Sequence, residues 1–136
     1  MRARAAAAAA AAGLLALAGC GAASPDLFEV KRSGEGRNAR LDMVVNDGGS
    51  VTCNGSRHAL NGDLLLRARE LARDLAKPAQ LNLALPPGPG AVLRYRVRLE
   101  QGSVAFSDTS RHQPHAFLVL QALTKDVAED VCRLPR

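Results

Sequence analysis

The chain has 136 residues, of which 18 are Lys or Arg and 13 are Asp or Glu, so its formal charge is +5. This length fits one domain at most. Aromatic residues make up only 3% of the chain and Trp is absent, which excludes the stacking platforms that bind single-stranded nucleic acids or sugars.

The first 19 residues have the layout of an export signal. Arg2 and Arg4 supply a positive start, and the apolar stretch 5–18 is 14 residues long, shorter than the ~20 that a membrane-spanning helix needs. The segment ends in Leu17-Ala18-Gly19-Cys20, which resembles the lipobox of bacterial lipoproteins. The resemblance implies removal of residues 1–19, lipidation of Cys20 and anchoring to the outer face of a bacterial membrane. A plain secretory signal with an incidental cysteine is the alternative.

Residues 20–26 are expected to form the lipidated cysteine and a short polar tether, followed by one domain over 27–136. Without residues 1–19, the chain keeps 117 residues and a formal charge of +3. Acyl chains on Cys20 would anchor this domain stably, because each buried methylene contributes about 0.8 kcal/mol.

Two further cysteines, Cys53 and Cys132, remain for pairing, and an exported protein allows a disulfide. Neither has a second cysteine at the two-residue spacing of redox or zinc motifs. The sequence therefore predicts a Cys53–Cys132 disulfide, which would close a loop of about 80 residues and stabilise the fold by about 4 kcal/mol. Two free thiols, or a thiol pair at a metal, are the alternatives.

The first half of the domain alternates as strands do. In 27–32, Phe28 and Val30 share one face, and a turn follows at Ser33-Gly34-Glu35-Gly36. A second strand over 39–46 leads through a glycine turn to a short strand that ends at Asn54-Gly55. Three antiparallel strands joined by tight turns are therefore predicted.

The second half adds a helix, two strands and a helix. From Asn61, a capping residue, leucines and alanines recur at helical spacing until Pro78, which is expected to stop the helix. Strands follow over 93–99 and 103–107, and the last helix begins near Pro114. The order β-β-β-α-β-β-α predicts an α+β two-layer sandwich, with an antiparallel sheet of four to five strands and two helices on one face.

Candidate catalytic and metal-binding groups are few. His112 and His115, with His58 as a third ligand, would suit a metal ion, but the pair straddles a predicted helix start, so exposed loop histidines are favoured. Ser110, His112 and Asp108 are too close in sequence to converge as nucleophile, base and orienter. Since the sequence has no nucleophile elbow and no phosphate-binding glycine loop, we expect neither enzyme activity nor a cofactor.

Three arginines, Arg94, Arg96 and Arg98, face outward on one predicted strand. Like charges on one strand face are mildly unfavourable, so the row can serve to attract anionic lipid or an acidic partner. The alternative is a solvated sheet face that Asp42 or Glu29 on a neighbouring strand partly neutralises.

The order of these elements also carries a family resemblance. Phe28-Glu29-Val30-Lys31-Arg32-Ser33-Gly34-Glu35-Gly36, a Leu/Ala-rich helix, a strand pair and a final helix after Pro114 form a layout similar to the emfourin-type family. Its members are small inhibitors of thermolysin-like metallopeptidases related to the protealysin inhibitor, and the similarity covers most of 27–131. It implies that the turn of Ser33, Gly34, Glu35 and Gly36, exposed at one end of the sheet, is the inhibitory segment, although Glu35 stands where the family pattern has a second glycine. A stiff glycine-bearing turn can enter a protease cleft, where Glu35 can approach the catalytic metal. A hairpin turn whose glycines only supply unusual φ angles is the alternative.

The sequence thus predicts a non-enzymatic, lipid-anchored cell-envelope protein that binds another protein, with inhibition of a secreted thermolysin-like metallopeptidase as the specific hypothesis. Its expected partners are a membrane, through acyl chains on Cys20, and a protein, but not nucleic acid. A structural or interaction lipoprotein of the envelope, and a small-ligand or metal-binding lipoprotein, are the alternatives.

Overall fold

Within residues 23–135, which the computed structural model describes, the fold is a six-stranded antiparallel sheet with two helices on one face. The strands are β1 (Asp26–Gly34), β2 (Leu41–Asn46), β3 (Ser50–Cys53), β4 (Ser56–Ala59), β5 (Leu93–Leu99) and β6 (Gly102–Ser107), and the helices are α1 (Gly62–Gln80) and α2 (His115–Asp126). A π-helical segment, Val127–Val131, continues α2. No helix in this part of the chain is both long and apolar enough to cross a membrane.

The strand order is β4-β3-β2-β1-β5-β6. Three tight turns and the loop 35–40 join sequential neighbours in the sheet, and α1 leads the chain from β4 to β5. This arrangement confirms the predicted α+β two-layer sandwich, and its six strands exceed the predicted four to five.

The inner face of the sheet forms the core with the helices, as the alternation predicts. Phe28 and Val30 of β1 are at most 1% exposed. The Phe106 ring of β6 stacks between Tyr95 of β5, at a centroid distance of 5.1 Å, and Phe117 of α2, at 4.3 Å. The aromatic stack therefore ties α2 to the sheet.

The additional strand, β4, has no apolar alternation that would mark it in the sequence. It forms because Asn54 and Gly55 both adopt positive φ angles, 47° and 87°, which a tight two-residue hairpin turn requires. The dipeptide therefore ends β3 as predicted and reverses the chain into a further strand, so four strands precede α1 where the sequence predicts three.

Helix α1 is longer than predicted. The side chain of Asn61 caps its start by accepting a backbone amide at 2.9 Å, as the sequence predicts. The prediction that Pro78 stops the helix was wrong, because α1 continues two residues beyond it. Proline so close to the end removes one backbone hydrogen bond, and burial of Ala79 and a 3.2 Å bond from the Leu81 amide to the Lys77 carbonyl hold the last turn.

The C-terminal segment is joined to the β3–β4 hairpin by the cysteines. The sulfurs of Cys53 and Cys132 lie at bonding distance, and their Cα atoms are 6.1 Å apart, which fits the predicted disulfide. The Cys132 amide donates to the Val127 carbonyl at 2.9 Å. The π-helical segment is therefore held to the sheet at its far end.

The two ends of the sheet differ in what they hold. The chain-entry end has the start of β1 and the β2–β3 and β5–β6 turns, and the Gly34 end has the loop 35–40 and the turn 54–55. At the chain-entry end, Asn46 donates through Nδ2 to the Ser24 carbonyl at 2.7 Å and to Asp26 Oδ1 at 3.0 Å. The fold thus already includes residues 24–26, which the sequence assigns to the tether.

Candidate functional site

The predicted binding turn lies at the Gly34 end, but half of it belongs to β1. Ser33 and Gly34 continue this strand and pair with β5. Gly34 has a φ of +148°, and a Cβ there would lie 2.0 Å from the Val92 carbonyl oxygen, so glycine is required for the strand pairing itself. The turn proper begins with Glu35 and continues through Gly36, which has a φ of +108° and open space around it.

Arg32 stabilises this loop through hydrogen bonds to its backbone. Its side chain lies on the inner face, where Nε donates to the Ala39 carbonyl at 3.0 Å and a terminal guanidinium nitrogen donates to the Asn38 carbonyl at 2.8 Å. The Asn38 side-chain amide donates in turn to the Pro135 carbonyl. These bonds fix the loop backbone while Glu35 remains exposed to solvent.

Tyr95 lies directly across from Arg32 on the inner face. Burial raises the pKa of its hydroxyl above the usual 10.0, although the nearby Arg32 charge acts in the opposite direction. A depression of about 570 Å³ separates the loop from α2, where Gln121 and Lys125 line it. The exposed surface around the loop therefore extends onto α2.

The predicted arginine row, Arg94, Arg96 and Arg98, is exposed on the outer face of β5. Arg98 forms an ion pair with Glu29 of β1, and Lys31 Nζ lies 3.6 Å from the same carboxylate. Within residues 23–135, neither Arg94 nor Arg96 has an ion-pair partner. Glu29 therefore neutralises only one end of the row.

The histidines lie at two opposite edges of the sheet. His58 is on β4 at one edge of the sheet, whereas His112 and His115 follow β6 at the other edge. His112 and His115 are exposed, the placement that the sequence favours. Among the described residues, no three His, Cys, Asp or Glu side chains are grouped so that they could hold a metal ion.

Asp108 and Ser110 hold two loops together. Ser110 is 7% exposed, and its hydroxyl donates to the Pro86 carbonyl at 2.8 Å while it accepts a backbone amide at 2.8 Å. The Asp108 carboxylate accepts the Val92 amide at 3.2 Å. No hydrogen bond joins either side chain to His112 in the described part of the chain, so the structure gives these groups positions in the scaffold.

Two positioning residues were missed from the sequence. Arg32 follows Phe28 and Val30 at a period of two, so the same alternation could have placed it on the inner face. Gln113 donates through Nε2 to three carbonyls of the segment 107–110, at 2.9 to 3.2 Å. No local pattern marks a glutamine for this role, because its partners are set by the path of the loop.

Cys20 and the lipobox lie outside the described residues 23–135. In comparisons with known proteins, no family model matches the chain, and neither the curated proteins nor the solved structures contain a significant match. Two exposed surfaces of the molecule are the candidates for a function, the loop that presents Glu35 and the arginine row on β5.

Proposed function

We propose that this chain is a non-enzymatic binding protein of the bacterial cell envelope, anchored by lipid on Cys20, and that the Glu35 loop, residues 35–38, contacts its protein partner. The observation that carries the proposal is the position of this loop, at the end of the sheet opposite to the chain entry. The specific partner that we propose is a thermolysin-like metallopeptidase.

A lipid on Cys20 would keep the chain-entry end near the bilayer. From Cys20 to Ser24, which Asn46 holds, the chain can span at most about 14 Å. Strand β1 then continues for nine residues to Gly34, a length of about 27 Å at roughly 3.4 Å per residue. With the strands directed away from the bilayer, the Glu35 loop is accessible to a secreted partner.

The Glu35 loop is suited to enter a cleft because its backbone is already fixed. Arg32 holds the carbonyls of residues 38 and 39, and the Glu35 amide donates to the Val92 carbonyl at 3.1 Å. A preorganised loop loses little conformational entropy on binding. Its exposed carboxylate at Glu35 can approach a catalytic zinc, since carboxylate oxygens are zinc ligands.

Anchoring is tested by Cys20→Ser in a bacterial host that processes lipoproteins. The variant should move from the membrane fraction to the soluble envelope fraction or keep its signal segment uncleaved, and it should lose the mass of the acyl chains. Gly21→Ala, which leaves the lipobox intact, is the matched control and should stay in the membrane fraction with the acyl mass. An acyl-free natural chain would refute the anchor.

Inhibition is tested by titrating thermolysin with the full chain in neutral detergent. Peptide hydrolysis should slow at micromolar protein, and Glu35→Ala should weaken inhibition by about tenfold or more, as expected for loss of a charged contact. Glu100→Ala is the matched control, because Glu100 is an equally charged, exposed residue at the chain-entry end. Full hydrolysis at micromolar protein would exclude this peptidase class as the partner.

A further inference from the structure

The outer face of β5 carries cations that neither the anchor nor the Glu35 loop uses. Arg94 and Arg96 are exposed and have no ion-pair partner within residues 23–135. The strand register places Lys31 of β1 directly opposite Arg96. Like charges in opposed positions destabilise a sheet. Asp42 of β2 lies opposite Lys31 on its other side, but the strand partners of Arg94 and Arg96 include no acidic residue, so the repulsion is not balanced at these two arginines. The cluster has the composition of an anion-binding surface.

A fixed wall runs beside these cations. The segment 83–85 lies along the outer edge of β6, and hydrogen bonds of 2.8 and 3.0 Å join it to both backbone groups of Ala105. The Pro86 carbonyl accepts the Ser110 hydroxyl at 2.8 Å. A Cβ on Gly88 would lie 1.8 Å from the Thr109 carbonyl oxygen, so the connector packs closely on the segment after β6. The wall is therefore part of the rigid scaffold.

The wall and the cations enclose a groove of about 590 Å³. Arg94 and Arg96 line one side of it, and Leu85 and Pro87 line the other. Because Ala84 pairs with Ala105 of the outer face, the Leu85 side chain points inward and packs on the core, and the exposed Pro87 supplies the apolar surface. Ala105, which is paired with Arg96 in the register, lies between them with a small side chain. One side of the groove is thus cationic and the other is apolar.

We propose that this groove binds an extended acidic segment of a protein partner, with carboxylates at alternate positions. Successive side chains of an extended chain point to opposite sides, and those on one side repeat about every 6.8 Å. Arg94 and Arg96 have the same spacing, because they are alternate residues of β5. Each guanidinium can therefore pair with one carboxylate in the bidentate manner that arginine favours, while the intervening side chains contact Pro87.

An anionic bilayer is the competing occupant of this surface. A bilayer is flat over the width of the domain, whereas the groove is concave and has an apolar wall. Its shape matches a single extended chain, with alternating acidic and apolar side chains, better than a layer of phosphate headgroups. The proposal depends on neither the lipid anchor nor peptidase inhibition.

The test uses the full chain in neutral detergent and a fluorescent peptide, Glu-Val-Glu-Val-Glu-Val, followed by anisotropy at about 50 mM NaCl, where charges are weakly screened. We expect saturable binding that Arg94→Gln/Arg96→Gln weakens by about tenfold or more. The matched control, Arg73→Gln/Lys77→Gln, removes the same charge from the exposed face of α1 and should change the dissociation constant by about twofold or less.

A second variant separates the groove from charge alone. Ala105→Leu fills the space between the two sides and leaves every charge in place, so it should weaken the peptide by about tenfold, with an unchanged melting temperature showing that the fold is intact. A peptide of the same composition with contiguous glutamates, Glu-Glu-Glu-Val-Val-Val, should bind more weakly. Cys20→Ser and Glu35→Ala should leave peptide binding unchanged. Loss of the lipid anchor or of peptidase inhibition can therefore be distinguished from loss of the groove.

Three results would overturn the proposal. The first is an equal loss of binding in the two double variants, which would indicate non-specific attraction. The second is unchanged binding in Ala105→Leu. The third is the absence of saturable peptide binding to the natural chain. If phosphatidylglycerol vesicles then bind the natural chain but not Arg94→Gln/Arg96→Gln, this face is a membrane surface.

Discussion

The two faces of the central strand pair are made from alternate residues of the same strands, yet different forces determine them. On the inner face, Val30 of β1 and Val97 of β5 are fully buried. On the outer face, Lys31 and Arg96 are exposed and oppose each other across the strands. Burial explains the inner composition, because apolar area removed from water stabilises the fold. The outer face mixes attraction, in the ion pairs of Glu29 with Arg98 and Lys31, with repulsion between the opposed Lys31 and Arg96, so burial does not determine its composition.

The largest loss of stability is expected from a substitution at Phe117, which is fully buried and stacks on Phe106. Phe117→Ala should lower the free energy of unfolding by about 3–5 kcal/mol, since it removes apolar contacts and leaves a cavity. The matched control is Leu118→Ala, because Leu118 is 51% exposed and should cost about 0.5 kcal/mol or less. Urea unfolding measures both, and equal midpoints would show that the stack does not hold α2.

The disulfide should give the next largest effect. Cys53→Ala/Cys132→Ala releases a cross-link between residues 79 apart in sequence and should cost up to about 4 kcal/mol through the entropy of the unfolded chain. Urea unfolding of the natural chain with and without dithiothreitol is the parallel measurement. A midpoint that dithiothreitol leaves unchanged would mean that the two thiols are not joined.

The inner face was also the easier one to predict from sequence. Alternation identified Phe28 and Val30 as inward, because burial imposes a period of two on a strand. It gave no sign of β4, since Ser56–Ala59 has no large apolar residue, although Asn54-Gly55 is itself a hairpin signal. Alternation of apolar residues therefore predicts which strand residues are buried, but it does not predict the pairing of an edge strand without apolar residues.

The candidate sites were predicted less completely, for a related reason. The outward direction of Arg94 and Arg96 follows from alternation, and the structure confirms it. The groove beside them needs the segment 83–85, which lies against Ala105 through long-range backbone bonds. The sequence also placed Gly34 in a turn, whereas its close approach to Val92 makes it part of the strand pairing. Such contacts depend on which segments the fold brings together.

A substitution at Gly34 should disrupt the pairing of β1 with β5 at the end of these strands. Gly34→Ala places a methyl group 2.0 Å from the Val92 carbonyl oxygen, so the strands must separate there, at a cost of about 2–3 kcal/mol. Gly36→Ala is the matched control; it meets no neighbouring atom and should cost about 1 kcal/mol through its positive φ alone. Thermal unfolding distinguishes the two, and equal losses would place the requirement in φ rather than in strand pairing.

Alkaline pH should weaken the inner face through Tyr95. Because burial raises the pKa of this hydroxyl above 10.0, its contribution to stability is complete below about pH 10 and is lost as the pH rises through the higher folded-state pKa. Tyr95→Phe cannot ionise, so its urea midpoint should fall less between about pH 9 and pH 11 than that of the natural chain. Identical falls would show that Tyr95 does not contribute.

Substitutions on the outer face should change the free energy of unfolding least, and one of them should raise it. Arg96→Thr removes one of two opposed cations and adds a good strand residue, so it should raise the free energy of unfolding by about 0.5 kcal/mol or less. Arg98→Thr removes the ion pair with Glu29 and should lower it by a similar amount, about 0.5 kcal/mol. Both differences should shrink in about 0.5 M NaCl, where exposed charges are screened. A loss of more than about 1 kcal/mol from Arg96→Thr would mean that this arginine stabilises the fold, and the outer face would then need no ligand to explain it.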